Sequence, residues 1–182
     1  MCIRDRAKRG YSVAIADSEK ELGGRINKES MLPGMSSYKR VTDYRVSQIN
    51  QLDNVDIYLD NTLNPDDVLE LGFDHVVTAT GSSWEPSIMN EKAAPVAIPK
   101  TNSIFTPEDV LKGCELKSSV IIFDFDYYYM GGLMAEYIKD LGHELTIITP
   151  FEKVSPWSFN SNEVTEIRLR LLEKDIKVIT CL

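Results

Sequence analysis

Short apolar runs alternate with segments of helical periodicity along most of the chain. The runs predict strands at 12–16, 55–59, 73–79, 119–123 and 144–149, with a last strand beginning near residue 176. Apolar residues at helical spacing predict helices over 41–52, 131–141 and 162–173. A strand, a helix and a second strand in about 30 residues are typical of βαβ units. The pattern therefore predicts an α/β fold with parallel sheets, in which strand 119–123 is buried.

Helix caps and breakers divide this pattern into two units. Asn64-Pro65 and Thr106-Pro107 each predict the start of a short helix, whereas Gly10 and Gly142 predict helix ends. Three prolines and little periodicity over 82–105 indicate a surface connection. We therefore expect one unit at 7–105 and a second at 106–182.

Both ends of the chain have unusual features. Residues 1–6, Met-Cys-Ile-Arg-Asp-Arg, resemble the translation of a sequencing adapter, although they are also compatible with a polar helix start. The last residues read as the beginning of a strand. We therefore expect that both units are truncated: the first lacks its first strand and glycine loop, and the second is cut at its C-terminal side.

Charge and composition narrow the classes of partner. The 20 basic and 28 acidic side chains give a net charge of −8, which argues against a nucleic-acid or anionic-membrane partner. No apolar run approaches the ~20 residues that span a bilayer. Three cysteines without metal or disulfide spacing, together with only two histidines, favour a reducing cytoplasm and argue against a metal site.

Candidate binding residues follow the predicted strands of the first unit. Asp17 ends a strand, where an acid can accept hydrogen bonds from the ribose of a dinucleotide. Gly23-Gly24-Arg25 offers close backbone approach and a cation for a pyrophosphate. The strand leading to Leu63 could present backbone groups to an adenine, and Ala79-Thr80-Gly81 could lie against a ligand. Each signal alone also fits a solvated strand end or a plain turn.

The second unit lacks the corresponding turn for a nicotinamide dinucleotide. The three glycine positions of G-x-G-x-x-G fall on Asp126, Tyr128 and Gly131, so that only the last glycine remains. Asp124 and Asp126 would repel a pyrophosphate, and Thr149 stands where a ribose-binding acid is expected. We interpret this unit as a dinucleotide fold that has lost its NAD(P) site. The tyrosines are equally compatible with simple packing at the helix entrance.

Several motifs give the sequence a family resemblance over residues 7–182. Leu32-Pro33-Gly34, Asp43-Tyr44-Arg45 and Tyr129-Met130-Gly131-Gly132 resemble the trimethylamine and dimethylamine dehydrogenases, which group with the 2,4-dienoyl-CoA reductase-type old yellow enzymes. The resemblance implies two Rossmann-like dinucleotide-binding units that follow a TIM barrel carrying FMN and a 4Fe-4S cluster. It further implies that the residues singled out in the first unit bind FAD, or ADP in its place.

The resemblance leaves three functions open. The first is oxidative demethylation of a small amine at the barrel, with electrons passing to an electron-transfer flavoprotein; no catalytic residue is placed in this chain. The second is an NAD(P)H-dependent flavin reductase of the dienoyl-CoA reductase type. The third is a non-catalytic ADP-binding module. The resemblance also implies that the full-length protein is a homo-oligomer.

Overall fold

A computed structural model describes residues 3–86, 88–89, 95–96 and 103–180. The chain forms two compact units, Met1–Ser82 and Ser83–Leu182. The boundary between these units follows residue 82, earlier in the chain than the boundary after residue 105 that we expected. Half of the predicted connection at 82–105 lies outside the described residues.

The first unit contains one two-stranded parallel sheet. Strand β1 (Val13–Ala16) pairs with β2 (Val55–Tyr58), with Val13 opposite Val55 and Ala16 opposite Tyr58. The helices are α1 (Ile3–Lys8), α2 (Arg25–Glu29), α3 (Lys39–Ile49) and α4 (Pro65–Glu70), with a 3-10 turn at Ser36–Tyr38. The predicted order of strand, helix and parallel strand is confirmed.

Local capping explains where several of these helices begin and end. The Asn64 side chain accepts hydrogen bonds from the amides of Asp66 and Asp67, while Asp67 accepts one from the amide of Asn64. This reciprocal pair satisfies donors that the first helical turn leaves unpaired. Gly10 has a φ of 90°, which lets the chain leave α1 toward β1 as predicted.

The strand predicted at 73–79 is wrong, because this segment has no regular structure. Val76 and Val77 are 59% and 72% exposed. An apolar run becomes a strand only where a neighbour satisfies its backbone groups. Within the described residues β1 and β2 pair only with each other, so that nothing supplies such a neighbour to residues 73–79.

The second unit is organised around a three-stranded parallel sheet. Its strands lie in the order β5 (Ser119–Phe123), β6 (Glu144–Thr149) and β7 (Lys177–Thr180), with helices α5 (Pro107–Leu111), α6 (Met130–Asp140) and α7 (Val164–Glu173). A short antiparallel pair, β3 (Ile88–Met89) and β4 (Pro95–Val96), and a 3-10 turn at Pro156–Phe159 complete it. Thr106 caps α5 together with Asp109, as the sequence predicts.

The core of the second unit lies on one face of this sheet. Helix α6 contacts β5, β6 and α7, and the most deeply buried side chains include Ala135, Ile147 and Ile167. Glu136 is 1% exposed, and both of its carboxylate oxygens accept hydrogen bonds from Arg170 Nε, at 2.9 and 3.0 Å. This ion pair joins α6 to α7 and satisfies a charge that burial would otherwise destabilise.

The expectation that strand β5 is buried is only half correct. Its burial alternates along the strand, and Ile121 and Phe123 are 66% and 43% exposed. Successive side chains of a strand point to opposite faces, so these two residues share the face away from α6. A continuous apolar run predicts burial on both faces, whereas within the described residues the helices cover one.

Candidate nucleotide-binding site

The carboxyl ends of β1 and β2 form the edge at which the first candidate, Asp17, lies. Its amide donates to the carbonyl of Tyr58 at 2.9 Å, and its carbonyl accepts from the amide of Asn61 at 3.0 Å. Its carboxylate oxygen Oδ1 accepts from the amide of Glu19 at 3.0 Å, which is an Asx-type turn. Oδ2 has no protein partner in the described part of the chain, so it can accept a ligand hydroxyl.

The two candidate glycines have different roles. A Cβ on Gly23 would lie 2.5 Å from Asn27 Oδ1 and 2.6 Å from Thr42 Cγ2, so this glycine allows the loop to pack against α2 and α3. Gly24, at φ 53° and ψ −128°, precedes α2 and would place a Cβ in open space. Only Gly24 therefore leaves its backbone open to a ligand.

Asn27 holds the loop around Gly23 and Gly24 in place, and sequence reasoning missed it. Its Nδ2 donates to Glu21 Oε1 and to the carbonyl of Leu22, both at 3.1 Å, while Oδ1 accepts from Lys39 Nζ at 3.0 Å. One amide side chain thus fastens the loop to both α2 and α3. Its position after Gly-Gly-Arg carries no recognisable motif, so no sequence signal identified it.

Arg25 connects the Gly23-Gly24 loop to Ser82, the residue that follows the second candidate segment, Ala79-Thr80-Gly81. Arg25 Nη2 donates to the carbonyl and hydroxyl oxygens of Ser82, at 2.5 and 3.2 Å. Its Nε lies 3.7 Å from Glu29 Oε1. The structure therefore brings together residues that are 57 positions apart. Ala79, Thr80 and Gly81 are exposed, and Gly81 has a φ of 74° with open space at its Cβ position.

Leu63 lies beyond the end of β2, beside an open groove of about 470 Å³. The groove is lined by Tyr58, Asn61, Leu63, Asp67, Glu70 and Leu71. Asn61 belongs to this lining and also donates its amide to Asp17. Asp17 is thus linked through Asn61 to the groove that Leu63 lines, and Arg25 contacts Ser82, the residue that follows Gly81.

In the second unit, the turn after β5 that holds the G-x-G-x-x-G positions is filled by the unit's own side chains. Asp124 directly follows β5 and is 2% exposed. A Cβ on Gly131 would lie 2.3 Å from Asp124 Cγ, so the carboxylate sits against the start of α6. Its Oδ1 accepts from the amide of Asp126 at 3.2 Å, and Oδ2 is buried without a hydrogen bond in the described part of the chain.

Burial dominates the electrostatics of this turn. Burial raises the pKa of Asp124 to about 6, and the neighbouring Asp126 charge raises it further, whereas the backbone amides of Asp126 and Ser155 lower it. Burial also raises the pKa of Asp126, although the backbone amides of Met130 and Tyr128 oppose the shift. In other proteins, the backbone amides at the start of a helix commonly bind phosphate. Here the amides at the start of α6 face carboxylates of the protein itself.

Aromatic rings close the rest of the turn. The ring centroids of Tyr127 and Phe151 lie 3.8 Å apart, and those of Tyr128 and Trp157 lie 6.0 Å apart. Thr149 is fully buried, and its hydroxyl oxygen accepts from the amide of Phe151 at 3.4 Å. The tyrosines thus pack against aromatic neighbours.

No group of three or more His, Cys, Asp and Glu side chains in the described residues is arranged to hold a metal ion. None of the helices described is both long enough and apolar enough to cross a membrane.

Comparison with known proteins places the chain near amine-oxidising enzymes. Residues 105–181 match a family model described as the OYE-like second alpha/beta domain. Dimethylamine dehydrogenase of Hyphomicrobium sp. (strain x) is 31% identical over 81% of this chain. NADH oxidase of Thermoanaerobacter brockii is 29% identical over 78% of it. The chain spans 21% of the length of each of these relatives.

Two solved structures superpose closely on the whole chain. The 6-hydroxypseudooxynicotine amine oxidase of Pseudomonas geniculata N1 is 37% identical with a TM-score of 0.92, and the histamine dehydrogenase of Rhizobium sp. 4-9 is 35% identical with the same score. Each covers 98% of this chain, which spans 27% and 28% of their respective lengths. The chain is thus homologous to amine dehydrogenases, and its α/β class with parallel sheets is confirmed.

Proposed function

We propose that this chain, which is homologous to amine dehydrogenases and carries an OYE-like second α/β domain, is the nucleotide-binding part of a larger flavin-dependent amine oxidoreductase. The observation that carries the proposal is the contact between Arg25 and Ser82, which joins the Gly23-Gly24 loop to the residue that follows Thr80-Gly81. The remainder of such an enzyme would be a TIM barrel with FMN and a 4Fe-4S cluster, in a cytoplasmic homo-oligomer.

The residues of the first unit fit the ADP half of a dinucleotide. Asp17 Oδ2 would accept a ribose hydroxyl, and the Arg25 guanidinium with the open backbone of Gly24 would face the pyrophosphate. The backbone near Leu63 would border the adenine, and Ala79, Thr80 and Gly81 would border the remainder of the ligand. Bound ADP would supply no redox chemistry, whereas bound FAD would supply a two-electron carrier.

The second unit supports oxidation of an amine rather than reduction by NAD(P)H. Asp124 and Asp126 occupy the turn where a pyrophosphate would bind, and Tyr127 packs on Phe151 beside it. We therefore propose that electrons do not enter through NAD(P)H in this unit. They would come from a small amine at the barrel and leave to an electron-transfer flavoprotein.

A flavin reductase fed by NAD(P)H is the second candidate, and the similarity to an NADH oxidase favours it. It requires that the turn at 124–131 open to admit a dinucleotide. Oxidation of NADH or NADPH by the full-length protein would support this candidate. A full-length protein with ADP but without FMN would instead support a non-catalytic ADP-binding module.

The test is to identify the nucleotides released from the denatured full-length protein. We expect FMN together with one equivalent of ADP or FAD. Arg25→Gln should weaken rebinding of ADP to the stripped protein about tenfold, because a charge-assisted hydrogen bond is lost. Calorimetric titration measures this change, and Arg45→Gln, which alters a guanidinium on α3, is the charge-matched control. Equal affinities of the two variants, or release of no adenine nucleotide, would contradict the proposed site.

A further inference from the structure

Lys39 is the first residue of α3, a position at which a helix gains little from a positive charge. The backbone amides at the start of a helix carry partial positive charge, so they repel a cation there. The ion pair of Lys39 with Asp43, at 3.3 Å, joins side chains that are 39% and 61% exposed, so it contributes little stability. The stability of α3 therefore does not explain the lysine at this position.

The ammonium group of Lys39 also contacts Asn27 on α2. Lys39 Nζ donates to Asn27 Oδ1 at 3.0 Å in a partly buried setting. An ammonium group can only donate, so it must face the oxygen of the carboxamide and not its nitrogen. The hydrogens of Asn27 Nδ2 then point to two acceptors, Glu21 Oε1 and the carbonyl of Leu22, both at 3.1 Å. Both polar atoms of the Asn27 side chain are therefore bonded in one orientation.

The hydrogen bond from Lys39 strengthens the bonds that Asn27 makes on its other side. A cation at the oxygen of a carboxamide polarises the group, so that its N–H groups become better donors. One of these donors bonds the carbonyl of Leu22, which directly precedes Gly23 and Gly24. The charge of Lys39 on α3 thus acts through one side chain on the backbone of the Gly23-Gly24 loop.

The packing of Gly23 shows how closely this arrangement fits the loop. A Cβ on Gly23 would lie 2.5 Å from Asn27 Oδ1, the atom that accepts from Lys39. It would also lie 2.6 Å from Cγ2 of Thr42, which is 8% exposed. Lys39 and Thr42 are three residues apart on α3, so they share one face of the helix. This face therefore supplies both the cation that holds Asn27 and the methyl group against which Gly23 packs.

We propose that Lys39 is a positioning residue for the nucleotide site: through Asn27 it holds the Gly23-Gly24 loop in the conformation that leaves the backbone of Gly24 open to a phosphate group. Lys39 acts through Asn27 and does not itself contact the ligand. The class of ligand rests on the proposed function, whereas the hold on the loop rests only on the contacts of Lys39 and Asn27.

Hydrogen exchange in the full-length protein, stripped of nucleotide, tests the hold on the loop. Lys39→Met should speed exchange of the amides in the peptide 19–30 about five- to tenfold, because a charge-assisted hydrogen bond is lost. Lys39→Arg should retain most of the protection, since a guanidinium also donates to a carboxamide oxygen. The melting temperature of both variants should remain that of the parent protein, because α3 gains little from this cation.

Two variants are matched controls for Lys39→Met. Arg40→Met removes the same charge from the same end of α3. Lys8→Met removes a lysine that donates to another carboxamide oxygen, Gln48 Oε1, also at 3.0 Å, and so joins α1 to α3. We expect each control to change exchange in the peptide 19–30 by less than about twofold.

Titration of the stripped full-length protein with ADP connects the loop to the ligand. Lys39→Met should weaken binding of ADP about fivefold, because the loop must then be ordered when the ligand binds. The same substitution should have no further effect in the Asn27→Ala background, because the two residues act in one chain of hydrogen bonds. Calorimetry measures all four affinities of this cycle.

Three outcomes would overturn the proposal. Unchanged exchange in Lys39→Met would mean that the lysine does not hold the loop. Equal effects of Lys39→Met and Arg40→Met would mean that only the charge at the end of α3 matters. An undiminished loss of ADP affinity in the Asn27→Ala background would mean that Lys39 contacts the ligand itself. The failure of the proposed function is a separate result: the parent protein would then bind no ADP, while Lys39→Met would still loosen the loop.

Discussion

Candidate glycines of the two units differ in what lies beside them. In the first unit, Gly24 and Gly81 face open space, although Gly23 packs against Asn27 and Thr42. In the second unit, Gly131 and Gly132 press against Asp124 and Ile167. Both units contain a parallel sheet, so the architecture alone does not distinguish these glycines. A glycine with open space beside it leaves room for a ligand, whereas a closely packed glycine is explained by its neighbours.

Charge follows the same division. The Arg25 guanidinium lies beside the Gly23-Gly24 loop of the first unit, whereas two acids with raised pKa values, Asp124 and Asp126, occupy the turn of the second. The amides at the start of a helix attract an anion, and this attraction can be satisfied by a ligand or by the chain itself. In the second unit, the chain's own carboxylates accept hydrogen bonds from these amides, and Asp124 is buried as a result.

We expect the largest loss of stability from adding a methyl group at Gly131 of the second unit. Gly131→Ala would place a methyl group 2.3 Å from Asp124 Cγ, and we expect it to lower the free energy of unfolding by about 3 kcal/mol. Both tryptophans lie in the second unit, so urea unfolding followed by tryptophan fluorescence measures this change.

A double variant tests the cause of that loss. If the carboxylate is the obstacle, Asp124→Ala should recover much of the stability that Gly131→Ala removes, because the two residues are in contact and their effects are not additive. Additive losses would show instead that Gly131 is required for another reason, and the contrast between the two turns would fail at this point.

The next effect is a stabilisation that depends on pH. Because the pKa of Asp124 is raised from 3.8 to about 6 in the folded protein, its contribution to stability is complete below pH 3.8 and is lost as the pH rises through 6. Above pH 7 the ionised form costs up to about 3 kcal/mol. We expect Asp124→Asn to recover about 2 kcal/mol of this, because the unpaired amide hydrogens of asparagine retain part of the cost.

Thermal unfolding of the parent protein and of Asp124→Asn between pH 4 and pH 8 measures this difference. Their melting temperatures should diverge most at pH 8 and converge toward pH 4. Asp126→Asn is the control for the neighbouring acid, whose pKa is also raised. Parallel melting curves across the whole range would show that Asp124 is not a strained buried acid.

The smallest effect belongs to the first unit. The methyl group added by Gly81→Ala would meet no atom within 4 Å, so only the positive φ of 74° would lower the free energy of unfolding. We expect a loss of about 1 kcal/mol, which hydrogen exchange at the amides of β1 and β2 would measure. A loss as large as that of Gly131→Ala would mean that Gly81 also packs closely, which would remove the contrast between the units.

Sequence reasoning predicted the elements whose causes are local. Strands β1, β2, β5 and β6, the capped starts of α4 and α5, and the glycine stops at Gly10 and Gly142 follow from residues within one turn or strand. Prediction failed where the cause was distant. The segment 73–79 lacks a neighbouring strand, and the outer face of β5 lacks a covering layer within the described residues.

The candidate site shows the same limit. The choice of Arg25 and Gly24 came from the sequence, but the contact of Arg25 with Ser82 and the role of Asn27 could not be predicted from it. Assignment of the site residues to a nucleotide remains a prediction, which the release of bound nucleotides tests; these residues are Asp17, Gly23, Gly24, Arg25, Leu63 and Ala79–Gly81.

The sequence alone determined the α/β class, the order of the elements, the net acidity and the loss of two glycines from the second turn. Tertiary structure decided which side chains fill the space beside the remaining glycines, because those neighbours come from distant parts of the chain. Gly23 packs against Thr42, and Gly132 packs against Ile167. Periodicity and propensity are local properties, whereas the occupancy of a turn depends on how separate elements pack together.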